Sequence, residues 1–133
     1  FMSYDFTFRP DAKRFEEGSF NTMSTHALGA AMDLLLKVGI ETIESRILLL
    51  CDYLMEGLQQ RGVKILSSIV PEERSGIITF ALGANLTELA TYMAENDVSL
   101  TVRDGMVRLS PHFYNSEAEA DRFFDLLDNF RKS

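Results

Sequence analysis

Arg103 and Arg108 are the residues best suited to bind a charged ligand. They flank Asp104-Gly105, a preferred pair for a two-residue hairpin turn because both turn positions need a positive φ. Alternating apolar and polar residues on either side predict two strands. In the resulting register Arg103 faces Met106 and Arg108 faces Thr101, so the arginines become diagonal neighbours about 7–8 Å apart on one face.

Two neighbouring guanidinium groups indicate an anion site. Like charges repel each other unless an anion lies between them. The planar, two-pronged donor suits a carboxylate or a phosphate. The alternative is that both arginines pair with helix carboxylates or lie in solvent, and the spacing alone leaves both interpretations open.

The other face of the same hairpin is apolar and is expected to enter a core. The residues on this face are Val98, Leu100, Val102, Val107 and Leu109.

Gly18-Ser19, within the segment RFEEGSFN, forms a second candidate site just ahead of a predicted helix. Glycine permits close backbone approach, and a neighbouring hydroxyl can donate a hydrogen bond to a phosphate. As a motif by itself the pair is weak, because most Gly-Ser pairs are turns.

The remaining reactive side chains indicate no chemistry of their own. Cys51 lies beside the apolar stripe of a predicted helix, which favours a packed and inert thiol. His26 and His112 are isolated and supply no metal-ligand cluster. We favour a structural role for His112.

An arm over residues 1–22 precedes the elements that must position these residues. In this arm, Tyr4, Phe6 and Phe8 alternate with polar residues. Helices are expected from about Ser24 to Val38 and over 41–61, then after the caps Asn85 and Ser116. Strands are expected at 63–66 and 76–82 and in the hairpin. Mostly antiparallel strands with helices on one face describe a two-layer α+β domain.

Composition limits the classes of function. The chain has 133 residues, enough for one domain with a core, and its net charge of −7 argues against nucleic-acid binding. Its longest strongly apolar run, 47–51, is too short to cross a membrane. We expect no signal peptide, and a single cysteine suits a cytoplasmic location.

Four motifs in order carry a resemblance that covers nearly the whole chain. The motifs are RFEEGSFN, LGAAMDLLLKVGIETI, ERSGIITF and VSLTVRDGMVRLSPHFYNSEAEADRF. Together they resemble the C-terminal part of class V aminotransferases. These are pyridoxal-phosphate enzymes of fold type I, and they include cysteine desulfurases and isopenicillin N epimerase-like proteins.

The resemblance implies that residues 23–133 are the C-terminal small domain of such an enzyme, preceded by an arm, 1–22, that links it to an absent large domain. The large domain would hold the pyridoxal phosphate and supply the lysine that binds it as a Schiff base. None of this chain's lysines lies at a plausible position for that role, so we expect no cofactor on this chain alone. The lysines are Lys13, Lys37, Lys64 and Lys132.

The resemblance also implies roles for single residues. Arg108, in VRLSPHFYN, matches the family arginine that binds the carboxylate of the amino-acid substrate. Arg103, in VRDG, matches a second arginine whose role varies more. Gly18-Ser19 matches a Gly-Thr that reaches across the homodimer to the partner's cofactor phosphate.

One departure from the family bears on the reaction. Cysteine desulfurases carry a nucleophilic cysteine on an extended loop between the two hairpin strands, whereas Asp104-Gly105 leaves no such loop here. Without that thiolate, cysteine desulfurase activity is disfavoured, and transamination, racemisation or β-elimination remains open. The alternative function is a stand-alone module that binds a small anion for regulation, or a dimerisation module.

Overall fold

A computed structural model describes residues 7–16, 18–83 and 85–132. The chain divides into two compact units, Phe1–Lys37 and Val38–Ser133, and each is described by itself. Tyr4 and Phe6, expected to begin the alternating arm, lie outside the described residues.

The first unit contains a short 3-10 helix, Ala12–Phe15, and the helix α1, Thr22–Val38. The Asn21 side chain accepts a hydrogen bond from the Ser24 backbone N–H at 3.0 Å. Because Asn21 caps the helix, α1 begins at Thr22, two residues before the predicted start at Ser24. None of the described residues of α1 is buried.

The second unit continues with three helices and four strands in the predicted order. The helices are α2, Ile40–Gln60, α3, Leu86–Glu95, and α4, Glu117–Phe130. The strands are β1, Lys64–Ile65, β2, Ile78–Ala81, β3, Thr101–Arg103, and β4, Met106–Leu109. A short 3-10 helix, Pro71–Glu73, precedes β2. No helix in the described ranges combines the length and apolar character needed to cross a bilayer.

The four strands form one sheet in the order β1-β2-β4-β3, and every neighbouring pair is antiparallel. Helices α2, α3 and α4 share one hydrophobic core with the sheet. The fully buried side chains at its centre come from all these elements and include Leu58, Phe80, Leu89, Val107 and Leu127. The predicted two-layer α+β architecture is confirmed.

The hairpin has the predicted register. Arg103 pairs with Met106 and Thr101 with Arg108, and the turn residues Asp104 and Gly105 have φ of 52° and 74°. The first strand is shorter than expected and begins at Thr101. The reason lies just upstream, where the Val98 backbone N–H donates to the Met93 carbonyl at 2.9 Å and closes the end of α3.

Both predicted helix caps are present. The Asn85 side chain accepts from the Glu88 backbone N–H at 3.3 Å, at the start of α3. Ser116 and Glu119 form a reciprocal capping box on α4. The Ser116 backbone N–H donates to the Glu119 carboxylate at 2.7 Å, and this hydrogen bond lowers the pKa of Glu119.

Gly57 allows α2 and α4 to pack closely. A Cβ at this position would overlap Cζ of Phe124, a buried residue of α4. The Phe124 ring also contacts the Arg61 guanidinium, which lies 4.3 Å from the ring centroid. The ring therefore has little freedom to move away from a larger residue.

We expect Gly57→Ala to destabilise the chain by about 1–3 kcal/mol, because overpacking a core outweighs the gain in helix propensity. Gly29→Ala, also inside a helix but with no atom within 4 Å of the added Cβ, should cost nothing. Urea unfolding of both variants measures the difference. Equal stability of the two variants would contradict the close packing at Gly57.

Arg46 fixes the segment that leads from the hairpin into α4. Its guanidinium donates to the Glu117 carboxylate at 2.5 and 3.0 Å and to the Asn115 carbonyl at 2.9 Å. The hydrogen bond from Arg46 lowers the pKa of Glu117 from 4.5 to about 2. The ion pair thus joins α2 to the chain just beyond Arg108.

Because the pKa of Glu117 is lower in the folded state, its contribution to stability is complete above about pH 4.5. That contribution is lost as the pH falls toward 2. Glu117→Gln should therefore lower the stability at pH 7 and flatten the loss of stability between pH 4.5 and 2. Glu44→Gln, which removes an exposed carboxylate without a described partner, is the matched control. Identical pH profiles for the two variants, measured by urea unfolding, would show that the ion pair contributes nothing.

Candidate functional site

Arg108 lies on the face of the sheet opposite α2, α3 and α4. Its strand neighbours Val107 and Leu109 are buried, so the Arg108 side chain projects away from the core and is exposed. In the sheet it lies between Thr79 on β2 and Thr101 on β3. The guanidinium has no hydrogen bond or ion pair with any residue of the described ranges. The Arg108 side chain is therefore accessible and lies between two threonines in the sheet.

Arg103 lies on the same face, diagonal to Arg108. Its Nε is 3.4 Å from the Asp104 carboxylate, and 79% of the Arg103 side chain and 74% of the Asp104 side chain are exposed. An ion pair so open to water is weak. The structure brings together the two arginines predicted to be neighbours and leaves both accessible.

Thr79 is the member of this surface that the sequence analysis missed. Its pairing with Arg108 joins two strands that are far apart in the chain. The alternation with buried Ile78 and Phe80 could have shown that Thr79 faces away from the core. The alternation could not have identified its neighbour.

Gly18 and Ser19 lie in the first unit, between the 3-10 helix and α1. Gly18 has a φ of +77°, a conformation that favours glycine, and a Cβ there would meet no described atom within 4 Å. Ser19 is exposed and precedes the α1 cap Asn21 by two residues. The pair lies on an open loop at a helix N-terminus, where backbone N–H groups favour anions.

A Schiff base with pyridoxal phosphate, the cofactor that the resemblance implies, needs a lysine inside an enclosed site. All four lysines of the chain are exposed. They lie on the 3-10 helix, in the last turn of α1, in β1 and after α4, at Lys13, Lys37, Lys64 and Lys132. The described residues therefore do not fit the complete cofactor.

Two cavities in the second unit lie apart from Arg103 and Arg108. One, of about 390 Å³, lies between α2, the end of β4 and the start of α4. The other, of about 410 Å³, lies between α2 and α4 around Tyr53 and Asp121. Neither is lined by a lysine, by Arg103 or by Arg108. The candidate site therefore lies outside both cavities.

Cys51 is packed, as predicted. It is 1% exposed on α2, and its thiol is 3.8 Å from the Ser75 carbonyl. Burial raises the pKa of the Cys51 thiol, so the nucleophilic thiolate is disfavoured.

His112 takes part in local packing after β4. Its ring stacks on Tyr114 with centroids 4.9 Å apart, and its backbone N–H donates to the Asn115 side chain at 2.8 Å. The ring atom Nδ1 is buried without a hydrogen-bond partner among the described residues. These contacts agree with a structural role, which remains a prediction.

Comparison with known proteins shows the family of this chain. The family model for aminotransferase class-V matches residues 2–123. Cysteine desulfurases of Serratia proteamaculans and Cronobacter sakazakii are 32% and 34% identical over 90% and 82% of this chain. An uncharacterised aminotransferase of Bacillus subtilis is 25% identical over 92% of the chain. The chain covers 32%, 30% and 32% of these relatives, about a third of their length.

Solved structures share the fold. The apo cysteine desulfurase of Thermococcus onnurineus matches 91% of this chain with a TM-score of 0.83 at 22% identity. A cystine C–S lyase in complex with cysteine persulfide matches 85% of the chain with a TM-score of 0.75 at 21% identity. The chain covers 34% and 31% of these proteins. On the family match, this chain belongs to the class V aminotransferases, a pyridoxal-phosphate-dependent family.

Proposed function

We propose that this chain is the C-terminal small domain, 23–133, of a pyridoxal-phosphate-dependent enzyme acting on an amino acid, and that Arg108 binds the substrate carboxylate. The observation that carries the proposal is the position of Arg108. It projects from the centre of the open sheet face, between Thr79 and Thr101, without a described partner.

The chemistry of Arg108 supports a carboxylate ligand. A guanidinium group offers two parallel N–H donors that match the two oxygens of a carboxylate. On an open surface such a pair is weak, since water competes for both partners. Covering the sheet face by a second domain would exclude water and strengthen the pair, so this domain contributes by closing over the substrate.

Two observations support the proposal that another domain completes the enzyme. The chain covers about a third of its relatives. The described residues of α1 also leave large apolar side chains exposed, as expected for a helix that another domain covers. Examples are Met23, Leu28 and Leu36, at 82%, 60% and 64% exposed. Residues 1–22 would then be the arm that joins the two domains.

Gly18-Ser19 has a proposed role in a homodimer. The pair lies on an exposed loop at the N-terminus of α1, where it can reach a phosphate held by another subunit. We assign it to the cofactor phosphate of the partner in a cytoplasmic dimer.

The reaction we propose is not cysteine desulfuration, although cysteine desulfurases are among the relatives. The two-residue turn Asp104-Gly105 leaves no loop that could carry a nucleophilic cysteine. Cys51, the single cysteine, is buried on α2 in the core. Transamination, racemisation and β-elimination need no such thiol, because the cofactor acts as the electron sink.

Arg108→Ala in the complete enzyme should lower kcat/KM by about 10²-fold or more, since hydrogen bonds to charged groups contribute about 1.5–3 kcal/mol. Arg108→Lys should recover part of the loss, because an ammonium group cannot form the planar fork. Arg103→Ala should have a smaller effect. Steady-state kinetics on an amino acid that the enzyme turns over measures all three.

The cofactor spectrum of each variant is the control for folding. A near-normal kcat/KM in Arg108→Ala would show that another residue holds the carboxylate. The proposal for Arg108 would then be wrong.

The 133-residue chain alone should not bind pyridoxal phosphate, because its lysines are exposed and line neither of the two cavities. The test is incubation with the cofactor, then dialysis, then absorbance at the aldimine band before and after borohydride treatment. A band that survives dialysis and is abolished by borohydride would contradict the small-domain proposal and point to a self-sufficient enzyme.

A further inference from the structure

Arg103 and Arg108 differ from other arginines of the second unit in what their guanidinium groups contact. Three arginines join one element to another through carboxylates, and their side chains are only 15–32% exposed. They are Arg46, Arg61 and Arg74. Among the described residues, Arg103 pairs only with the adjacent Asp104, and Arg108 pairs with none. The three structural arginines have fixed partners, whereas the two hairpin arginines remain available to a ligand.

One carboxylate does not need both hairpin arginines. A planar guanidinium satisfies the two oxygens of a carboxylate by itself. With Arg108 assigned to the substrate carboxylate, the guanidinium of Arg103 remains on the same face, about 7–8 Å away at the backbone. Its weak, exposed contact with Asp104 is easily exchanged for a ligand.

We propose that Arg103 binds a second carboxylate of the same ligand, so that the substrate is a dicarboxylic α-amino acid. This inference rests on the proposed role of Arg108. Two guanidinium groups on neighbouring strands match two carboxylates separated by a short carbon chain. The second carboxylate also relieves the repulsion between the arginines, which grows when the sheet face is covered and water is excluded.

L-aspartate and L-asparagine are the probes that test the assignment, because they have nearly the same shape and differ in the second carboxylate. Binding to the 133-residue chain can be followed by the NMR signals of the arginine Nε–H groups at low ionic strength. The variants are Arg103→Gln and Arg108→Gln. Arg9→Gln is the control, since Arg9 is exposed and has no partner among the described residues.

We expect L-aspartate to bind about threefold or more tightly than L-asparagine, as for an exposed ion pair. Arg103→Gln should abolish this preference without changing the affinity for L-asparagine, and Arg9→Gln should change neither. Equal binding of the two amino acids, or a preference that survives Arg103→Gln, would overturn the inference. The proposed function fails separately if Arg108→Gln leaves the affinity for L-asparagine unchanged.

Discussion

The burial of Val107 and Leu109 is the constraint on which the candidate site depends. Both side chains lie in the core between the sheet and the helices, and successive residues of a strand point to opposite faces. Arg108, between them, must therefore face away from the core. A slip of one residue in register would bury a guanidinium group and expose two apolar side chains, at a cost that the fold does not tolerate.

The position of β4 in the sheet extends this constraint to its neighbours. Because β4 lies between β2 and β3, Arg108 has a threonine on each side rather than solvent on one. Within the second unit, α2, α3 and α4 pack on the opposite side of the sheet from Arg108. A sheet covered on one face fits a domain that presents its other face to a ligand or to another domain.

The tight turn of the hairpin fixes its register. Positive φ at Asp104 and Gly105 closes the turn in two residues and aligns Arg103 with Met106. In the proposed function, the same short turn is the reason for preferring a reaction that needs no cysteine loop.

The sequence alone determined the features that depend on residues close together in the chain. The Asp-Gly pair determined the hairpin register, and Asn85 and Ser116 marked the starts of two helices. Such turns and caps satisfy backbone groups within a few residues, so local sequence suffices to predict them. The order of helices and strands followed from apolar periodicity in the same way.

Only the tertiary structure decided the contacts between distant segments. The pairing of β2 with β4 brought Thr79 beside Arg108, and the packing of α4 on α2 made Gly57 necessary under Phe124. The ion pair of Arg46 with Glu117 likewise joins residues 71 positions apart. Local patterns show which face of an element is buried. They do not show which element covers that face, because many pairings bury similar apolar area and the choice among them is made by the packing of the whole core.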